Sequence, residues 1–234
     1  MTKTIHRFFV DPAAMAGDKF ALPGSIRHQV TRVLRLSPGD ELVLLDGRGE
    51  QARCRLTAGG ELDVLRRGAA EGDPRHRLVV WQALIKGDGL ERVVQQGTEL
   101  GVAEFRLLVT ARCVVHELSA RRLERLQTVA REAAEQSERG LVPPVHAPVP
   151  LANGLRPGVV MLFERLDGNG TRLSRLDPPG EVIIGPEGGF DADEVAQAQR
   201  AGVTLAGLGP RILRSESVSI AAAAVILSQA GDFA

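Results

Sequence analysis

The sequence predicts an α/β protein in two parts, a small β-rich amino-terminal domain followed by a larger domain built on a mostly parallel sheet. Three observations predict it. Residues 1–72 read as short apolar runs separated by turn residues. From residue 73 onward buried-strand runs alternate with helical stripes, the pattern of a parallel sheet with crossover helices. Between the two patterns lies Ala69 to His76, a polar stretch containing Gly72 and Pro74. Domains 1–72 and 73–234 are therefore expected.

In the first domain the strand candidates are Ile5–Val10, Glu41–Asp46, Glu50–Thr57 and Glu61–Arg66. Asp46-Gly47-Arg48-Gly49 reads as a hairpin turn, since glycine supplies the positive φ such turns need. One helix interrupts the strands, from Ser25 to Leu36, before Pro38-Gly39. Its residues Ile26, Val30, Val33 and Leu34 form an apolar stripe, while His28, Arg32 and Arg35 form a basic stripe on the opposite face.

In the second domain strands are expected at Leu78–Ile85, Phe105–Val109, Val159–Phe163, Val182–Ile184 and Val203–Ala206. Helices are expected at Gly89–Gly101, Ser119–Arg139, Ala192–Ala201 and Ser217–Ala230. The segment Gly140 to Pro150, with four prolines, is expected as a stiff irregular loop.

Composition narrows the function classes. Apolar residues make up 44% and charged residues 25%, ordinary values for a globular protein with a substantial core. The longest apolar runs, such as Ile220 to Leu227, fall far short of the roughly 18 residues that span a bilayer, so a cytoplasmic, unanchored protein is expected. Cys54 and Cys113 belong to no CxxC pair, and His116 near Cys113 has no second pair to complete a metal site; two reduced, buried thiols are expected and no metal. Net charge is zero, with 11 basic against 9 acidic residues in 1–72, so bulk charge does not mark a nucleic-acid binder and local patches must carry any such reading.

Two strand-to-helix connections carry the chemistry. In Ile183-Ile184-Gly185-Pro186-Glu187-Gly188-Gly189-Phe190-Asp191, a buried strand enters a glycine-rich turn, and Asp191 with Glu194 has the spacing of a capping box. Glycines at the carboxyl end of such a strand let a ligand touch main-chain groups, although a tight strand-to-helix turn explains the run equally well. In Leu208-Gly209-Pro210-Arg211-Ile212-Leu213-Arg214-Ser215-Glu216-Ser217, two arginines, a carboxylate and two hydroxyls precede an alanine-rich helix; a ligand site and an ordinary capped helix both remain open. Neither loop is a GxxxxGK[ST] cradle or a GxGxxG fingerprint, so nucleotide hydrolase and dinucleotide oxidoreductase readings lose their support.

Together these loops resemble the SPOUT methyltransferases, and more closely the RsmE type, which methylates uridine N3 in small-subunit (16S) ribosomal RNA. The resemblance extends through Arg7-Phe8-Phe9, His28 to Leu36 with Pro38-Gly39-Asp40, Lys86-Gly87 through Glu99-Leu100-Gly101, Glu135-Gln136-Ser137 with Arg139, Ile184 to Gly189, and Leu208 to Glu216. It implies a PUA-like β-barrel that binds RNA, a trefoil-knotted catalytic domain holding S-adenosyl-L-methionine, and a homodimer acting on assembled small subunits. The cofactor-binding loops it implies are Leu162, Phe163 and Glu164; Ile184, Gly185, Pro186, Glu187, Gly188 and Gly189; and Leu208, Gly209, Arg211, Ile212, Leu213 and Arg214. Two departures stand out: Ser215 and Ser217 where threonines are common, and Gln95-Gln96 where Gln-Lys is common.

Methylating a uracil nitrogen needs orientation, stabilisation of charge on the base and removal of an imide proton. Arg214 is expected to hydrogen-bond a uracil oxygen. Glu216 is a candidate proton acceptor, and equally a carboxylate stabilised at a helix amino terminus. RNA holding is expected from Arg7, His28, Arg32 and Arg35 in the first domain and Lys86, Arg112, Arg131 and Arg139 in the second. Aromatics at 3% and no tyrosine argue against a stacking platform for single strands. Another methylation target, such as a ribose hydroxyl or a guanine nitrogen, and a noncatalytic assembly factor are the competing readings.

Overall fold

A computed structural model of the chain describes residues 5–164 and 171–233. The chain divides into two compact units, Met1–Asp73 with Ala134–Val142, and Pro74–Ala133 with Pro143–Ala234. Ala134–Val142, expected in the second domain, thus groups with the first unit. Its ties are specific. The Asp73 carboxylate accepts hydrogen bonds from Arg139 Nε and the Gly140 amide, both at 2.9 Å, and Glu135 Oε1 accepts from the Phe9 amide at 3.1 Å. The expected helix runs through Arg139 and the expected loop begins at Gly140, but periodicity does not say which core these residues serve, and the helix itself ends at Gln136.

In the first unit β1 (His6–Phe9), β2 (Lys19–Ala21), β3 (Glu41–Leu45), β4 (Glu50–Leu56) and β5 (Glu61–Ala69) form a sheet in the order β1-β3-β4-β5-β2. Only β1 and β3 run parallel. At the β3–β4 turn Asp46 Oδ1 accepts from the amides of Arg48 and Glu50, at 2.7 and 2.9 Å, and Gly47 takes a φ of 71°. One sheet face buries Phe8, Leu42, Leu44, Cys54 and Leu62 against Ile26 and Val30. The short strand β2, with Phe20 as its one large apolar residue, was invisible to periodicity.

The expected Ser25–Leu36 helix is in two pieces. α1 (Gly24–His28) runs into a π turn over Gln29–Val33, where the Leu34 amide reaches back to the Gln29 carbonyl at 2.9 Å. The wider turn rotates the chain out of α register. Val33, expected in the buried stripe, is consequently 63% exposed, while Ile26 and Val30 remain buried.

In the second unit the described elements are β6 (Val79–Ala83), α2 (Gly89–Leu100), β7 (Glu104–Val109), α3 (Ala120–Gln136), β8 (Val145–Pro150), β9 (Val160–Leu162), β10 (Thr171–Arg172), β11 (Glu181–Ile184), α4 (Ala192–Arg200), β12 (Thr204–Gly207) and α5 (Ser215–Gln229). The last residues of α3 fall in the first unit. The strands make a seven-stranded parallel sheet in the order β10-β12-β9-β11-β6-β7-β8, which gives the α/β class that alternating strands and helices predicted. β11 and β12 lie on opposite sides of β9. Beyond β9 the chain therefore returns across the sheet instead of extending it in order.

The proline-rich stretch expected as an irregular loop instead contains β8, the strand at one edge of this sheet. An edge position needs hydrogen bonds on one side only, which is why Pro148 and Pro150 are tolerated. Cys54 and Cys113 are buried free thiols, and burial pushes the Cys54 thiol up to about 11. Among the described residues no helix is long and apolar enough to cross a membrane, and no His, Cys, Asp and Glu cluster could hold a metal ion.

Candidate active site

Parallel strands deliver all their carboxyl ends to one edge of the sheet, and loops there form the ligand crevice of open α/β folds. In the second unit the segments after β6, β9, β11 and β12 surround one cleft of about 560 Å³. The β9 segment contributes Leu162 and Glu164; the β11 segment contributes Ile184, Gly185, Pro186, Glu187 and Gly189. Ile212, Leu213, Arg214 and Glu216 supply the wall after β12, and Lys86 the rim after β6.

The β11 loop is held from both ends. Asp191 accepts from the Glu194 amide at 2.7 Å while Glu194 Oε2 accepts from the Asp191 amide at 3.0 Å, so the capping box is complete. Glu194 Oε1 also accepts from the Ala111 amide at 2.8 Å, and Glu187 accepts from the Lys86 amide at 2.8 Å. Gly185 lies against the Phe190 ring, where a Cβ would stand 3.0 Å from a ring carbon. Gly189 has a φ of +66°, and a Cβ there would stand 3.1 Å from Glu164 Oε1. The glycines thus serve the tight turn and the cleft together.

A buried polar junction joins this loop to α5. Gln82, fully buried in the middle of β6, donates to Ser215 Oγ at 2.9 Å and accepts from the Ser219 hydroxyl. Ser215 in turn donates to the Gly185 carbonyl at 2.5 Å. Sequence reasoning did not single out Gln82, yet its amide is the lone polar side chain in the apolar run Leu78–Ile85, and that was the available signal. Asp88, Arg92, Phe190 and Val218 also line the cleft without having been anticipated. Arg92 and Asp88 pair at 2.8 Å on the first turn of α2.

Other expected residues fall elsewhere. Phe163 packs on the core beside Met161 and Phe190, and Gly188 meets Arg112, whose guanidinium donates to the Gly188 carbonyl at 3.0 Å. Leu208, Gly209 and Arg211 are not among the cleft-lining residues. Of the basic residues expected to hold RNA, His28, Arg32, Arg35, Arg112 and Arg131 are exposed. Arg7 is half-buried, paired with Glu138 at 2.9 Å and Gln51 at 3.2 Å. Arg139 is a correction: its side chain is 3% exposed and bound to Asp73, so it ties the first unit together and is not presented to a ligand.

The family model for an RNA methyltransferase domain matches residues 72–227, and that for an RNA methyltransferase PUA domain matches residues 23–64. The ribosomal RNA small subunit methyltransferase E of Synechocystis is 33% identical, with 94% of this chain and 77% of the relative covered. That of Bacillus subtilis is 32% identical, with 96% and 97% covered. The crystal structure of the Neisseria gonorrhoeae enzyme of the same name, bound to S-adenosyl methionine, superposes with a TM-score of 0.85 at 28% identity, covering 96% of this chain and 98% of that one. A putative methyltransferase from Legionella pneumophila, solved with the same cofactor, gives a TM-score of 0.81 at 26% identity, with 97% and 98% covered. The fold and its loop-lined crevice are those of an RNA methyltransferase. The chain belongs to the ribosomal RNA small subunit methyltransferase E family.

Proposed function

We propose that this protein transfers a methyl group from S-adenosyl-L-methionine to N3 of one uridine in 16S ribosomal RNA, with the second unit performing the chemistry and the first holding RNA. The observation that carries the reading is the single cleft in which the glycine-rich loop after β11 faces Arg214 and Glu216 at the start of α5. The residues present suit the cofactor: Gly185 and Gly189 stand in the cleft wall where a Cβ would crowd the Phe190 ring and the Glu164 carboxylate, and Leu162, Ile184 and Leu213 offer apolar surface to an adenine.

The cofactor supplies an activated methyl group on a sulfonium sulfur. Methylation at uridine N3 would form an N–C bond as the sulfonium S–C bond breaks, leaving a neutral thioether, and would release the imide proton, so the chain must orient the base, stabilise charge on its oxygens and take up that proton. Orientation alone contributes roughly 7–11 kcal/mol in well-aligned reactions. Arg214, at the amino cap of α5, is exposed and lines the cleft, which puts its guanidinium donors within the space open to a uracil oxygen. Glu216 on the first turn is the proton acceptor. Lys86 on the rim, with Arg112 and Arg131, carries phosphate contacts in the second unit, and Arg7, His28, Arg32 and Arg35 carry them in the first. The working form is a cytoplasmic homodimer acting on assembled small subunits.

Nucleoside mass spectrometry of 16S RNA from a deletion strain tests the assignment. N3-methyluridine disappears if it holds, whereas loss of a ribose-methylated or guanine-methylated nucleoside instead gives the family a different target here. Calorimetry with S-adenosylmethionine addresses the noncatalytic alternative, since a pure binding module does not take up the cofactor.

A further inference from the structure

On the sheet face of the first unit where Phe9, Val43 and Leu45 pack on Ala134, the margin of that apolar contact carries a row of cations, with Arg53 and Arg66 exposed, that hairpin stability does not explain. Reading straight across the strands, Arg7 on β1 stands opposite Val43 on β3, Val43 opposite Arg53 on β4, and Arg53 opposite Arg66 on β5. Directly opposed residues share a face with their Cβ atoms about 5 Å apart, and like charges so placed repel. A register shift next to Arg53 leaves Leu65 as an extra residue, and Leu65 is 42% exposed beside Arg66. Such bulges re-aim side chains, often at binding sites.

The counter-ions fall short. Arg53 and Arg55 share the one carboxylate of Glu41, at 2.6 and 3.0 Å, and the two guanidinium groups hold that carboxyl below its usual range, the Arg55 hydrogen bond first. Arg66 has no ion-pair partner among the described residues. At the other end of the row Arg7 Nε is buried without a hydrogen-bond partner, although the rest of its guanidinium is anchored by Gln51 and Glu138. Arg7, Val43, Arg53, Arg66 and Gly68 line a cleft of about 200 Å³, with Glu71 its one acidic wall residue.

We infer that this row is a phosphodiester seat, at which Arg53 and Arg66, with Arg7 behind them, grip the backbone of the RNA substrate. The inference rests on the proposed RNA methylation and extends it to a surface separate from the basic stripe of His28, Arg32 and Arg35. Guanidinium groups suit phosphate because their donor forks match its oxygens. The opposed pair persists because a shared anion removes the repulsion when RNA is bound.

The test compares the parent with Arg66→Glu and with Arg53→Ala/Arg66→Ala, using small ribosomal subunits purified from a strain lacking the protein. Each lost phosphate contact is expected to lower the slope of log affinity against log salt by about 1, and the double variant to raise KM for subunits about tenfold. S-Adenosylmethionine affinity by calorimetry stays at the parent value, because no residue of the row lines the donor cleft. The thermal midpoint of Arg66→Glu is equal to or above that of the parent, since an acid then faces Arg53; a merely structural arginine gives the opposite shift. Parental KM and salt slope in both variants overturn the seat, whether or not uridine is the target. A flattened slope in variants of a parent that methylates another nucleotide keeps the seat and removes the uridine assignment.

Discussion

The hydroxyl of Ser215 donates to the carbonyl of Gly185 at 2.5 Å, and this one bond fastens the first turn of α5 to the glycine-rich loop after β11. Gln82 backs it from β6, so both walls of the cleft share a buried polar junction. Ser215→Ala strands the Gly185 carbonyl and leaves a Gln82 amide hydrogen short of a partner. A buried group left unsatisfied costs about 1–3 kcal/mol, and 1.4 kcal/mol is tenfold in affinity. Cofactor affinity is expected to fall about tenfold and the unfolding midpoint to drop with it. Ser215→Thr retains the hydroxyl and restores both. Calorimetry and thermal unfolding check this, and an alanine variant indistinguishable from threonine means that the junction does not hold the loops.

Gly189 is constrained twice, by a φ of +66° and by Glu164 at the place where a side chain would begin. Alanine in the left-handed region costs roughly 1–2 kcal/mol before any crowding is counted. Gly189→Ala is therefore expected to weaken cofactor binding by about tenfold or more, with a smaller change in global stability because the strain is local to one turn. Equal affinities in a titration of variant and parent would show that this turn does not shape the pocket.

What the sequence made legible follows from where periodicity acts. The apolar run before Gly185 and the Asp191–Glu194 spacing located β11, the loop and the start of α4, because each depends on neighbours in the chain. Long-range partners were not legible. Val33 seemed inward-facing until the π turn displaced it, and β8 was hidden by prolines that only an edge strand accepts. Arg139 is expected among the RNA-holding cations, and its burial follows from Asp73, distant in sequence, as its partner. Gln82 acquires meaning only when Ser215 and Ser219 arrive from the far end of the chain.

Glu104, at the start of β7, is 6% exposed and receives Arg106 at 2.5 Å, Arg77, and His146 at 3.1 Å. Burial is the largest single influence and pushes its pKa up, but Arg106, Arg77 and His146 together outweigh burial and hold the carboxyl below the usual 4.5. A carboxyl depressed in the folded state adds stability that is present above its unfolded pKa and is lost as pH falls through the folded one. Glu104→Gln is expected to cost about 1–3 kcal/mol at neutral pH, less than for a wholly buried pair because Arg77 and Arg106 remain solvated. Below about pH 4 the gap between variant and parent narrows. Denaturant midpoints across this range check it, and a gap that widens in acid contradicts the depressed carboxyl.

Arg214 and Glu216 occupy the cap and first turn of one helix, yet their proposed tasks separate by experiment. Removing a donor that stabilises developing charge costs about 10²–10³ in turnover. Arg214→Ala is expected to lose that much kcat while cofactor affinity changes only severalfold, and Arg214→Lys to recover part of it, since a lysine keeps the charge without the fork. Glu216→Gln keeps the size and removes the base, so its defect should shrink as pH rises toward the point where the uridine imide ionises unaided. A Glu216→Gln defect that is the same at every pH assigns the carboxylate to the helix terminus, where it steadies the dipole and takes no proton. Single-turnover rates against pH, measured beside cofactor titrations for the same variants, separate the two roles.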